Sequence, residues 1–150
     1  MVEKGLLTEE LYRLVRIPMV KSFVASETGQ RMKAASKRRQ LYREKPFVMG
    51  FTGEQLENFG FQADSGITQA EEDLTLIQGI IDVFWIEEDG IVLLDYKTDA
   101  VETPKELVLR YEAQLHLYAE ALNRVFADRG MKVKEKLIYA FRFGEIISIA

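Results

Sequence analysis

The chain reads as an α/β protein built on a central mixed β-sheet of four to five strands flanked by helices, and three stretches carry that reading. Residues 79–98, GIIDVFWIEEDGIVLLDYKT, are two apolar runs joined by an acidic turn, which predicts a buried hairpin. Thr103-Pro104-Lys105-Glu106 then opens a long amphipathic segment with a Thr N-cap, Pro at the first helical position and Glu at the third. Beyond Gly130 the alternation resumes over 136–143. A strand, a long helix and another strand in that order make a βαβ-type crossover, right-handed by rule. A parallel pair is thereby added to an antiparallel hairpin.

The elements follow in order. Thr8-Glu9-Glu10-Leu11 opens a short helix ending near Pro18, and helical pieces continue over Met19 to Val24 and Glu27 to Ser36. Leu41, Arg43, Lys45, Phe47 and Met49 alternate with Tyr42, Glu44 and Val48, so a strand spans about 39–49. Pro46 assigns it an edge or bulged position. Residues 50–73 are polar, glycine-punctuated and without periodicity, which predicts a long mobile loop. The hairpin turn lies in Glu87-Glu88-Asp89-Gly90, either as a two-residue turn at Glu88-Asp89 or Asp89-Gly90, or as a longer loop. The capped helix runs from Pro104 to about Asp128 and stops at Gly130. Its stripe of Leu107, Tyr111, Leu115, Tyr118, Leu122 and Phe126 faces the sheet. Strands over 136–143 and 146–149 close the chain.

The hairpin carries charge where a core strand should have none. Asp82 sits in its first run, and Asp95 and Lys97 in its second. Buried charges are costly unless they pair or bind a metal. If Ile86 pairs with Ile91, Asp82 faces Asp95; if Asp89-Gly90 alone is the turn, Asp82 faces Lys97. Any even loop puts both carboxylates and the ammonium on one face, and a one-residue bulge would break that arrangement. Two adjacent carboxylates repel unless a cation lies between them. Hard oxygen ligands without His or Cys suit Mg²⁺ or Mn²⁺, which can activate water against a phosphodiester. The lysine is placed to hold that water or the phosphate as a point charge. The plain alternative is a surface hairpin with an ordinary cross-strand salt bridge.

Gln114 and Tyr118, four apart, point from the helix stripe. A glutamine there needs a partner, either a backbone group or a nucleic-acid phosphate or base. With that, Gly79-Ile80-Ile81-Asp82, Leu94-Asp95-Tyr96-Lys97-Thr98 and Gln114-Leu115-His116-Leu117-Tyr118 together resemble the RecB-type PD-(D/E)XK nucleases, whose last element is a QxxxY motif. Around the motifs, QGIIDVFW, LLDYKTD, YEAQLHLYAEAL and YREKPF are most similar to the C-terminal nuclease domain of AddA-type (RexA-type) subunits of ATP-dependent helicase–nucleases, which process double-strand DNA breaks for recombinational repair. The likeness spans essentially the whole chain.

The resemblance implies a restriction-endonuclease-like core and a Mg²⁺-dependent deoxyribonuclease of exonuclease type, with Mn²⁺ as an alternative ion. It makes Asp82, Asp95 and the backbone carbonyl of Tyr96 metal ligands, Lys97 the catalytic lysine, and Gln114 and Tyr118 DNA-positioning residues. Glu44 matches an acidic position of the family, although an exposed Glu between two basic residues is equally a surface pair. The implied partners are DNA and a second, AddB-like (RexB-like) subunit. The family also has a histidine ligand on a helix upstream of the first strand, and this chain has none there. Its single histidine, His116, reads as a solvated helix-face residue flanked by Glu112 and Glu120. The chain therefore reads as a nuclease domain cut from a longer protein without the histidine helix, feeble or inert alone. The rival reading is a catalytically silent DNA-docking or subunit-interaction module that keeps the Asp/Asp/Lys set as a salt-bridge network.

Composition agrees with a part of something larger. The 150 residues are 47% apolar, enough for one compact domain with a core. There is no cysteine, which excludes disulfides, Cys₄ zinc sites and iron–sulfur clusters within the chain. No apolar run approaches a membrane span and no signal-peptide core is visible, so a cytoplasmic setting without membrane contact is expected. No G-x-x-x-x-G-K-[ST] loop is present, so any ATP chemistry belongs to a parent helicase region. The net charge is −4, yet residues 30–45 carry Arg31, Lys33, Lys37, Arg38, Arg39, Arg43 and Lys45 against Glu44 alone. Lys37, Arg38 and Arg39 are candidate phosphate-backbone contacts, set against a merely solvated helix-to-strand connection.

Overall fold

The structure, a computed structural model, describes residues 17–61 and 74–150, with side chains from residue 21 onward. The helix expected to open at Thr8 and residues 62–73, the second half of the long loop expected at 50–73, lie outside the described residues. Helices α1 (Ile17–Ala25) and α2 (Glu27–Lys37) come first, followed by strand β1 (Leu41–Thr52) and the short helix α3 (Gly53–Phe59). Strands β2 (Leu74–Glu87) and β3 (Gly90–Lys97), the long helix α4 (Pro104–Val125), and strands β4 (Val133–Ala140) and β5 (Glu145–Ile149) complete it. The five strands form one sheet in sequence order, with β3 and β4 parallel and every other neighbouring pair antiparallel. This is the mixed sheet the sequence predicts, and α4 is the crossover that makes the parallel pair.

The sheet is covered on both faces. Phe51, Ile81, Phe84, Ile91, Leu93 and Ile138 pack against Leu107, Leu115, Tyr118, Leu122 and Phe126 of α4. Val83, Trp85, Val92, Leu94, Leu137 and Tyr139 pack on the opposite face against Met32, Ala35 and Phe23 of α1 and α2. β3 is buried on both faces from Gly90 to Asp95, as a central strand receiving a parallel neighbour should be. Pro46 lies in β1, an edge strand, so its missing N–H leaves no ladder bond unmade on the outer side.

Several boundaries differ from the sequence expectation. Residues 50–59 are not loop. β1 continues to Thr52, and Thr52 and Gln55 form a capping box that starts α3, with Thr52 Oγ1 accepting from Gln55 N and Gln55 Oε1 from Thr52 N. The T-x-x-Q signature is present in the sequence but lies among glycines and polar residues that mask the helical period. β4 runs from Val133 to Ala140, three residues ahead of the expected strand at both ends: Val133 pairs with Ile91 of β3, and residues 141–144 form the turn into β5. α4 ends at Val125, and a short 3₁₀ turn (Ala127–Arg129) carries the chain to Gly130, whose φ of 65° is the left-handed conformation a helix stop requires. At its N-terminus Thr103 Oγ1 accepts from Glu106 N, but the Glu106 carboxylate accepts from Glu102 N. Among the described residues no helix is long and apolar enough to cross a membrane.

Candidate active site

The two hairpin strands part at Asp82. The β2–β3 ladder runs from Glu87↔Gly90 through Ile86↔Ile91 to Val83↔Leu94, which selects the Glu88-Asp89 turn and points the next pair at Asp82 and Asp95. Beyond that point β2 pairs with β1 alone. The β1–β2 ladder also skips one pair, Glu44 with Asp82, and Glu44 has a φ of 50°. Faces switch there. Tyr42 and Phe84 stack on the α4 side at 4.9 Å, and so do the odd-numbered Phe47, Met49 and Ile77 further along the same strands. Counting by twos therefore holds along β3 but not through Asp82. Asp82 instead reaches into the fork, where its Oδ2 accepts the Tyr96 N–H at 3.1 Å in place of a strand carbonyl.

Asp95 points to the α4 side and is 3% exposed, the one charged group so deeply buried among the described residues. Lys97, two residues on, shares its face. Lys97 Nζ lies 2.9 Å from Asp95 Oδ2, the distance of an ion pair. It is not aligned to donate, and Oδ2 is left buried without a hydrogen-bond donor. The ion pair offsets part of the cost of burying that charge, and the oxygen still lacks a hydrogen-bond donor. Burial pushes the Asp82 carboxyl up from 3.8 to about 7, and its hydrogen bond with Asp95 and the repulsion between the two add to this, against the Tyr96 N–H and Lys97. Asp82 and Asp95 are thus two close carboxyl groups that cannot comfortably both ionise without a further cation.

α4 supplies the other wall. Gln114 Oε1 accepts from Lys97 Nζ at 3.4 Å, and Gln114 Nε2 donates to Tyr118 Oη at 2.9 Å. The partners of Gln114 are therefore the lysine and the tyrosine, not a backbone group. Tyr118 is held in turn by Phe47, edge-on at 5.3 Å, above Gly79. A Cβ at residue 79 would stand 2.6 Å from the Phe47 ring and 3.1 Å from that of Tyr118, so only glycine lets both rings settle over the fork. A contact of Lys97 and the one that anchors it carry no signal in the motifs. The Tyr111 ring centroid is 4.0 Å from Nζ, and Tyr111 Oη donates to Asp99 Oδ2 at 2.6 Å. Tyr111 is legible in the sequence only as a member of the apolar stripe.

The remaining expected residues are placed elsewhere. Glu44 is half-buried at the β1 kink opposite Asp82. Among the described residues no group of three or more Asp, Glu, His or Cys is assembled to hold a metal, so Glu44 does not complete a triad with Asp82 and Asp95. Lys37, Arg38 and Arg39 are exposed at the end of α2. Arg38 Nη2 donates to Ile86 O at 3.1 Å, near the turn end of the hairpin and roughly 14 Å along β2 from Asp82. Arg31 is committed to Glu87 and Glu135. His116 is half-buried rather than solvated, with Nδ1 2.9 Å from Lys136 Nζ of β4; burial and then that ammonium lower its pKa, against the neighbouring Glu112 carboxylate. The α4 helix meets β4 closely enough to trap it, which helical spacing alone does not reveal.

The donor set fits a hard divalent cation. It offers carboxylate oxygens, one of them buried and accepting no hydrogen bond, with no sulfur or imidazole beside them. The family model described as the PD-(D/E)XK nuclease superfamily matches residues 5–145. Among relatives, proteins whose names make them one subunit of an ATP-dependent helicase/nuclease are similar along nearly the whole chain. The protein from Lachnoclostridium phytofermentans is 38% identical over 99% of this chain, that from Clostridium perfringens strain SM101 40% over 100%, and that from Thermoanaerobacter sp. strain X514 37% over 98%. The chain spans only 11–12% of the length of these relatives.

Proposed function

Since the chain belongs to the PD-(D/E)XK nuclease superfamily, we propose that it is the metal-dependent DNA-cleaving domain of a helicase–nuclease, hydrolysing phosphodiesters with water as nucleophile. The observation that carries this is the Asp95 carboxylate, 3% exposed, beside Asp82 and with Oδ2 2.9 Å from Lys97 Nζ but accepting no hydrogen bond. Asp82, Asp95 and the Tyr96 carbonyl would hold Mg²⁺ or Mn²⁺. When bound, the ion supplies charge stabilisation at the phosphate and a more acidic water. Lys97 holds the attacking water or the scissile phosphate by its charge, and Gln114 with Tyr118 sets the DNA strand against it. Glu44 is an outer acidic group at the kink. Lys37, Arg38 and Arg39 follow the phosphate backbone away from the cutting point, where contacts are sequence-independent and salt-sensitive. Exonuclease mode, a role in processing double-strand breaks for recombinational repair and a partner subunit of the AddB-like kind extend the same reading to the longer protein.

The test is cutting of linear DNA with Mg²⁺ or Mn²⁺, by this chain and by the longer protein that contains it. Asp95→Ala and Lys97→Ala should each lower kcat at least about 10³-fold in the longer protein, with DNA affinity nearly unchanged. Metal-dependent cutting that survives both substitutions, or its absence from the longer protein, would make this a silent docking module. For the chain alone, calorimetry with Mn²⁺ should give millimolar or weaker binding, since two carboxylates are an incomplete set.

A further inference from the structure

Lys97 stands on the last residue of β3, where the strand gives way to the 98–103 connection. A lysine is a point charge on a flexible four-carbon stem, so its ammonium is placed only as well as its surroundings fix it. Three groups surround Nζ: Asp95 Oδ2 at 2.9 Å, Gln114 Oε1 at 3.4 Å and the Tyr111 ring at 4.0 Å from the centroid. An ammonium has three donors, and here two of its three neighbours come from one helix face, since residues 111 and 114 are three apart on α4.

The Tyr111 ring is itself fixed. Its hydroxyl donates to Asp99 Oδ2 at 2.6 Å, and the same oxygen accepts Arg110 Nη1 at 2.8 Å. Asp99 lies two residues beyond Lys97 on the connection out of β3, so one short segment carries both the lysine and the anchor of the ring that covers it. The ring attracts the ammonium through its quadrupole without neutralising its charge. Nor does it compete with Asp95 for a cation, as a further carboxylate would.

From this geometry we propose that Tyr111, oriented by Asp99, is the positioning residue of Lys97, holding the ammonium against the active-site fork by a cation–π contact. The proposal rests on the nuclease reading for its catalytic consequence, but the contact itself does not. Its structural test is proton–carbon NMR of this chain, with the Lys97 ε-methylene assigned by its loss in Lys97→Arg. Ring current should move that methylene upfield in the wild type and in Tyr111→Phe, and Tyr111→Leu should return it to an ordinary lysine position. An unshifted methylene in the wild type overturns the proposal.

Its kinetic test uses the longer, cutting-competent protein. Tyr111→Leu should lower kcat roughly 3- to 30-fold, the size of a partly desolvated cation–π contact, with KM for DNA changed less than about twofold. Tyr111→Phe should recover kcat to within about threefold, and Asp99→Asn should fall between the two. Replacing residue 111 with phenylalanines of increasing fluorination should lower kcat stepwise at constant melting temperature, which a packing role alone would not do. Equal losses in Leu and Phe, or no loss in Leu while Asp95→Ala abolishes cutting, overturn the proposal. If Asp95→Ala leaves cutting intact, it is the nuclease reading that fails, and the methylene shift alone then decides whether the ring holds the lysine.

Discussion

Asp82 and Glu87 lie on one strand, five residues apart, and their carboxyl groups are shifted in opposite directions. At the turn end, Glu87 is met by Arg31 at 2.7 Å and Lys134 at 2.8 Å and accepts the Trp85 indole N–H at 2.9 Å. Glu135 pairs with the same guanidinium, and Asp89 with the same ammonium. The Arg31 hydrogen bond above all holds the Glu87 carboxyl well below the usual carboxylate range. At the fork end, burial and Asp95 lift Asp82 to about 7, and Asp95 keeps a buried oxygen that accepts no hydrogen bond. The turn end has two cations braided among three carboxylates near solvent, whereas the fork sets a buried and a half-buried carboxyl against one ammonium. Clusters of the first kind hold a structure together. The second kind is tolerated at a cost to stability and is the sort of place where chemistry is found.

Arg31→Ala gives the largest expected change in stability. It leaves Glu87 and Glu135 facing one another without their shared cation. The loss should be about 2 kcal/mol at pH 7, less than for a fully buried pair because solvent screens it. That corresponds to a fall of roughly 4–8 °C in melting temperature. The Glu87 value is depressed when folded, so this contribution is present above its ordinary 4.5 and is lost as pH falls below it. The difference between Arg31→Ala and wild type should therefore shrink on acidification, read by thermal melts from pH 7 to pH 3.

Asp82→Asn should do the reverse and act with the opposite pH dependence. In metal-free buffer it removes a carboxyl whose ionisation the folded state resists. A value raised from 3.8 to about 7 leaves the wild type unpenalised below about pH 4, then makes it lose stability as pH rises through 7. The variant should gain about 1–2 kcal/mol above pH 8, with screening of a half-buried group allowed for, and nothing below pH 4. A variant less stable than wild type at pH 8 would mean that the fork is not the strained end.

The smallest effect separates surface charge from both clusters. Lys37→Ala and Arg39→Ala should change stability by less than about 0.5 kcal/mol, as exposed substitutions do. If these residues follow the DNA backbone, each should also reduce the salt slope of DNA binding by about one. An unchanged slope would assign them to the solvated connection alone.

Much of this was legible in the chain because its signals are local. A Thr-Pro-x-Glu start and a glycine stop bound α4, and its apolar stripe names the face that packs. Two apolar runs around the acidic turn give the hairpin, and the period of two puts Asp95 and Lys97 on one side of β3. The missed helix Gly53–Phe59 was local too, but seven residues are too few to show a period.

What the sequence determined by itself, then, is which residues are the candidates for chemistry and which strands and helix bear them, since period and capping act over a few residues. The tertiary structure alone decided how those residues meet. Leaving β3 at Val83 and switching faces at Glu44 aims Asp82 into the fork, and this arises from competition between two ladders, which no count along one strand contains. The packing of α4 on the sheet brings the Tyr111 ring over Lys97 and His116 onto Lys136. Those contacts join residues far apart in the chain, and only the burial of both elements against one core fixes their distance.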